Sequence, residues 1–208
     1  MTGAESRHRP AGFLGFLFGR QVDYVRRLKP LFTLCLFGFI FSLLVGYNLG
    51  GSIQSSVMEE LLGGIPDLEG FNVTMIFLFI VYNNVFRSFL WMLLGIVGSF
   101  PPLFFTVLFG FFLGHFSYSV SLEQGLGFTV MALIPHGVIE IPTILLSSAA
   151  GMALGYALIN RLRGRGSLRV EFGRALVLYI TRIVPLLILS AVIEVTLTPL
   201  LVISLGLI

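Results

Sequence analysis

Ser88–Leu122 reads SFLWMLLGIVGSFPPLFFTVLFGFFLGHFSYSVSL, 35 consecutive residues without Lys, Arg, Asp or Glu. A soluble core has no use for so long a charge-free run, whereas a membrane-spanning helix needs about 20 apolar residues. Gly98-Ser99-Phe100-Pro101-Pro102 inside it reads as a tight turn. The run is therefore the end of one span and most of the next. The rest of the chain agrees. Of its 208 residues 56% are hydrophobic and 11% charged, against about a quarter charged in soluble domains. The 24 Gly fit close helix packing, and the 21 Phe fit a lipid-facing surface. Continuous apolar runs, in place of short alternating ones, argue against a β-barrel. The fold class is all-α, a polytopic transmembrane bundle of five spans.

The spans read as about Leu31–Leu49, Met75–Val97, Leu103–Val120, Ile141–Ile159 and Ala175–Leu197, with Pro30 suited to starting the first. Residues 1–30 form a basic N-terminal segment. Its Phe13, Leu14, Phe16, Leu17, Phe18 and Val22 could face a membrane surface as an interfacial helix. No short apolar stretch there ends in a small-residue cleavage site, so it does not read as a secretory signal. Residues 31–208 form the transmembrane domain. Arg7, Arg9, Arg20, Arg26, Arg27 and Lys29 precede span one, and Arg161, Arg163, Arg165, Arg169 and Arg174 follow span four. The loops after spans one and three hold no Lys or Arg, and the first carries Glu59, Glu60, Asp67 and Glu69. By the positive-inside rule, the expected placement is a multi-pass protein of the cell membrane, N-terminus cytoplasmic and C-terminus outside. The net charge of +3 comes from these flanks and is no nucleic-acid footprint. A single cysteine, Cys35, excludes an intramolecular disulfide.

The fourth span carries the irregular stretch. A helix over Gly127–Asn160 would be about 51 Å long, against a hydrocarbon core of about 30 Å. Pro135-His136-Gly137-Val138-Ile139-Glu140-Ile141-Pro142 interrupts it. The expectation is a broken or re-entrant fourth element, with a short helix, a break, then a full span from Ile141.

Ionisable residues inside spans are costly and usually have a partner or a function. Asn83, Asn84, Arg87, His136, Gly137 and Glu140 form the leading candidate cluster, and His115, Arg182 and Glu194 a secondary set. Asn83 and Arg87 are four apart and share a helix face, as His136 and Glu140 do where the chain is helical. Depths counted from the span ends put Arg87 and Arg182 in the inner half and His115, His136, Glu140 and Glu194 toward the outer side. Structural hydrogen bonding between helices, worth about 1 kcal/mol or less each, is the plain alternative. A metal site would need His115, His136 and Glu140 to meet, and none is expected. No HExxH, G-x-S-x-G or Walker motif occurs, so no catalytic residue, cofactor or metal is assigned. Gly110 with Gly114, and Gly151 with Gly155, fit small-xxx-small helix packing.

The Asn83-Asn84 pair followed by Arg87, then Gly110 and Gly114 after Pro102, then the Pro135–Pro142 octet with Ala149-Ala150-Gly151 and Gly155, resemble the stage II sporulation protein M (SpoIIM) family. The resemblance runs from about Leu31 to the C-terminus. Phe109 stands where members commonly carry Asn. The resemblance implies a membrane scaffold, which in endospore formers holds peptidoglycan-degrading partners. Many relatives make no spores, so a sporulation role is not inherited.

Three functions follow as expectations. The first is a non-enzymatic scaffold or assembly subunit with protein partners in the bilayer. The second is a small transporter or channel, working as a homo-oligomer around the polar site; the absence of an internal repeat offers inverted-repeat transport no direct support. The third is an intramembrane hydrolase, for which no nucleophile is identifiable.

Overall fold

Asn72 accepts a hydrogen bond from the Met75 amide at 2.8 Å. That side chain satisfies one of the free amides at the start of a helix. In the computed structural model, which describes residues 13–52 and 71–204 (side chains of 13–20, 136 and 202 excepted), this helix is the second of six. They are α1 (Phe13–Leu49), α2 (Val73–Leu94), α3 (Phe100–Gln124), α4 (Leu126–Leu162), α5 (Leu168–Leu178) and α6 (Val184–Ser204). A π turn, Tyr179–Ile183, joins α5 to α6. Five helical stretches are long and apolar enough to cross a membrane: Gln21–Ser52, Val73–Leu94, Phe100–Gln124, Gly137–Leu162 and Leu168–Leu201. The five-span, all-helical reading holds. The acidic stretch with Glu59, Glu60, Asp67 and Glu69 lies outside the described residues.

Two boundaries differ from expectation. Pro30 does not start the first span; it lies inside α1, which continues back to Phe13. Proline removes one bond, to the carbonyl of Arg26, and Arg26 is exposed, where water can take that bond. The boundary at residue 30 thus falls within one helix. The fourth element is likewise unbroken: α4 contains both Pro135 and Pro142. These prolines are seven residues apart, so their lost bonds fall on one helix face and leave the remaining ladder intact. The excess length appears at the other end. Gly155 packs against Gly98 and Ser99 in the α2–α3 turn, so the final turns of α4 run past that turn and beyond the bundle's edge.

α4 is the central helix, touching α1, α2, α3, α5 and α6. Ile144, Leu145, Ala149, Ala150 and Leu154 are fully or almost fully buried. Small residues allow the approach. A Cβ on Gly95 would lie 1.9 Å from the Gly151 carbonyl oxygen. α1 and α3 run side by side in the same direction, Gly110 against Phe39 and Ser42 and Gly114 against Leu43 and Tyr47. Both expected small-residue pairs therefore sit at helix contacts.

The π turn has a local cause. Pro185 lacks an amide hydrogen and its ring would clash with the Thr181 carbonyl in a regular helix. The wider turn relieves that clash. Thr181 Oγ1 donates to the Val177 carbonyl at 2.7 Å and pairs with Gln21 of α1 at 2.9 Å. Nearby, Glu171 accepts from Arg27 of α1 at 3.5 Å and from Arg174 at 3.3 Å. The two basic segments thus share one end of the bundle.

Candidate functional site

Arg87 projects from α2 one helical turn after Asn83. Its Nη2 donates to Asn83 Oδ1 at 3.2 Å. Asn83 Nδ2 reaches Asn84 Oδ1 at 3.5 Å, and the Asn84 side chain faces the Glu140 carboxyl of α4. Arg87 donates to Asn83 and Asn83 to Asn84, so these bonds run in one direction toward the carboxylate. Aligned chains of this kind polarise one another in a low dielectric. Arg87 and Glu140 are not in direct ion-pair contact among the described residues; the two amides stand between their charges and carry the link. Glu194 of α6 also lies within electrostatic reach of Glu140. Three helices far apart in sequence therefore deliver Asn83, Asn84, Arg87, Glu140 and Glu194 to one place.

The depth estimates had separated Arg87 from the two glutamates. They meet because α4 starts at Leu126, which sets Glu140 fourteen residues, or about 21 Å, along the helix. Ser147 meets Ser88 and Glu140 faces Asn84, so Glu140 is level with the middle of α2. The cluster also has an aromatic wall. The Arg87 guanidinium carbon lies 5.9 Å from the centroid of Phe109, whose ring contacts Trp91 at 5.7 Å. Phe109 offers Arg87 a ring face.

Asn84 is buried, while Asn83, Arg87, Glu140 and Glu194 are half-buried. Two clefts open beside them. One of about 350 Å³ is lined by Arg87 and by Phe105, Phe109, Phe112 and Phe116. The other, of about 340 Å³, is lined by Glu194, Thr198, Thr129 and again Phe116. The exposed Phe116 ring borders both, so charge lies behind an apolar rim on either side.

The other candidates stand elsewhere. Gly137 is buried and lines a large apolar cleft between α1, α3 and α4. The His136 backbone is helical, and its side chain lies outside the described residues. His115 is buried on α3 with Nδ1 lacking a hydrogen-bond partner. Arg182 lies exposed in the π turn. Among the described residues no three His, Cys, Asp or Glu side chains gather as a metal site.

A polar knot beside the cluster was not anticipated. Tyr179 donates to the Val85 carbonyl, and its hydroxyl meets Ser88 Oγ at 3.0 Å. Ser147 Oγ donates to the Ser88 carbonyl at 2.8 Å. These bonds tie the π turn, α2 and α4 together one residue from Arg87. The sequence marked its neighbours Asn84, Arg87 and Arg182, and none of its own members.

The chain matches the family model described as stage II sporulation protein M over residues 31–199. Neither a curated protein nor a solved structure matches it.

Proposed function

Because the chain belongs to the stage II sporulation protein M family, we propose that it is a non-enzymatic assembly subunit of a membrane complex. In this reading the Arg87–Glu140–Glu194 cluster marks where a partner's transmembrane segment docks. The observation that carries this reading is the sideways exposure of charge. Ionisable side chains in spans normally face the bundle interior or water. Here Arg87 and Glu194 each line a cleft on the bundle's flank, bordered by aromatic rings. Lipid chains are poor company for such groups. A helix carrying its own polar side chain would cover both clefts across Phe116.

A photo-crosslinking residue at Phe116 tests this in native membranes. It should yield one discrete adduct that disappears in Arg87→Ala. The same probe at Phe37, exposed on α1, should yield only lipid adducts. Equal protein adducts at both positions, or none at Phe116, would remove the docking reading.

Transport is the second reading. It is favoured by two carboxylates, Glu140 and Glu194, in mutual reach beside an arginine. Ion flux into proteoliposomes that falls with Glu140→Gln and His136→Ala would favour it over assembly.

The proposed orientation places the shared basic end in the cytoplasm. Cys35, the single cysteine, is fully buried, so one added cysteine reports cleanly. A cysteine at Ser167 should react with a membrane-impermeant maleimide only after permeabilisation. One at Glu123 should react in intact cells. The reverse pattern would invert the topology.

A further inference from the structure

We propose that the seam between α1, α4 and α6 binds an anionic glycerophospholipid from the leaflet on the basic side of the membrane. This site is separate from the polar cluster and does not depend on the assembly reading.

A groove of about 370 Å³ runs along this seam. Arg26 and Lys29 lie at one end, Phe32, Leu146 and Leu186 along its walls, and Pro142 at the other end. The direction follows from the packing. α1 and α4 run antiparallel, with Leu28 in the same cluster as Leu154 while Tyr47 lies near Leu126. With Leu28 level with Leu154, Arg26 and Lys29 lie at the basic end, and Leu146 and Pro142 lie about two and three helical turns further along α4. Charge sits at the membrane surface and the apolar walls run inward, matching a phosphate headgroup with an acyl chain below it.

The two cations are available. Both are exposed, and neither makes an ion pair among the described residues. Glu171, at the same end of the bundle, is already engaged by Arg27 and Arg174. Asp23 lies one turn before Arg26 but does not line the groove. Basic pockets between spans at this depth suit anionic headgroups.

The apolar track is longer than the first groove alone. Pro142 also lines the cleft of about 610 Å³ between α1, α3 and α4, whose wall includes Leu36, Ile40 and Ile141. Pro142 thus borders both spaces. A free inorganic anion would leave this track empty; a phospholipid fills both the charged end and the apolar one.

The test uses the full chain in mild detergent, with lipid retention read by native mass spectrometry. Phosphatidylglycerol should be retained over phosphatidylcholine. The double variant Arg26→Gln/Lys29→Gln should weaken phosphatidylglycerol retention roughly 30-fold, as expected for two basic groups beside an anionic headgroup. Retention of phosphatidylcholine should not change. Leu186→Trp, which fills the groove, should reduce retention of both lipids. Arg161→Gln/Arg163→Gln, at the same end but outside the groove, should change neither. Unchanged phosphatidylglycerol retention in Arg26→Gln/Lys29→Gln would overturn the proposal. So would an equal loss in the Arg161/Arg163 control, or displacement of the lipid by glycerol phosphate at equal concentration. Arg26 and Lys29 are both exposed, so the glutamine pair tests binding even where the tryptophan variant does not fold.

Discussion

Gly114→Val should leave almost no folded, monodisperse protein. A Cβ at this position would lie 2.0 Å from the Leu43 carbonyl oxygen and 2.8 Å from the Tyr47 amide nitrogen. Overpacking against movable side chains costs about 1–3 kcal/mol. Backbone atoms of a neighbouring helix cannot rotate away, so the two helices must separate along their contact. The loss should exceed about 3 kcal/mol, a large share of a total stability on the order of 5–15 kcal/mol. Gly127→Val supplies the contrast, because nothing lies within 4 Å of a Cβ there. Size-exclusion profiles and melting curves of both variants check this. A Gly114→Val protein that melts like Gly127→Val would refute the α1–α3 packing described above.

Arg87→Ala should be the most damaging change at the polar cluster. It removes the positive end of the relay and leaves Asn83 Oδ1 without its donor. Glu140 and Glu194 are then left facing each other without the nearby cation. Breaking a buried charge arrangement by deleting one member costs about 3–5 kcal/mol. Arg87 is half-buried and its link to Glu140 passes through two amides, so the low end, about 3 kcal/mol, is expected. Glu140→Gln in the same chain should restore part of this, since it removes one of the uncompensated carboxylates. The double-mutant cycle measures the coupling. Strict additivity of the two changes would show that Arg87 and Glu140 do not act through one network.

Much of this arrangement was legible in the sequence because membrane spans obey few rules. Lengths of apolar runs located the five spans, and the cost of polar groups in lipid singled out Asn83, Asn84, Arg87, Glu140 and Glu194. The spacing of Gly110 with Gly114 marked a real contact. The continuity of α4 was not legible. Two prolines flanking a His-Gly pair look like a break, yet each removes only one hydrogen bond, and both losses fall on one face. That misreading also shifted the depth of Glu140 and hid its approach to Asn84. The Ser88–Tyr179–Ser147 knot escaped notice because Ser and Tyr are unremarkable in membrane helices, and only packing shows which of them meet. The interhelix ties near Gln21 and Glu171 depend on the path of α1 before Pro30, which periodicity alone does not define.

The unbroken course of α4 has a mechanical consequence. The rod that carries Glu140 ends at Leu162, twenty-two residues and about 33 Å later. There it meets a short basic hairpin closed by Gly164 and Gly166 at φ 72° and 71°. Pro142, two residues after Glu140, removes one hydrogen bond from this stretch without ending the helix. Hairpin and Glu140 are thus joined through continuous helix and not through a loop.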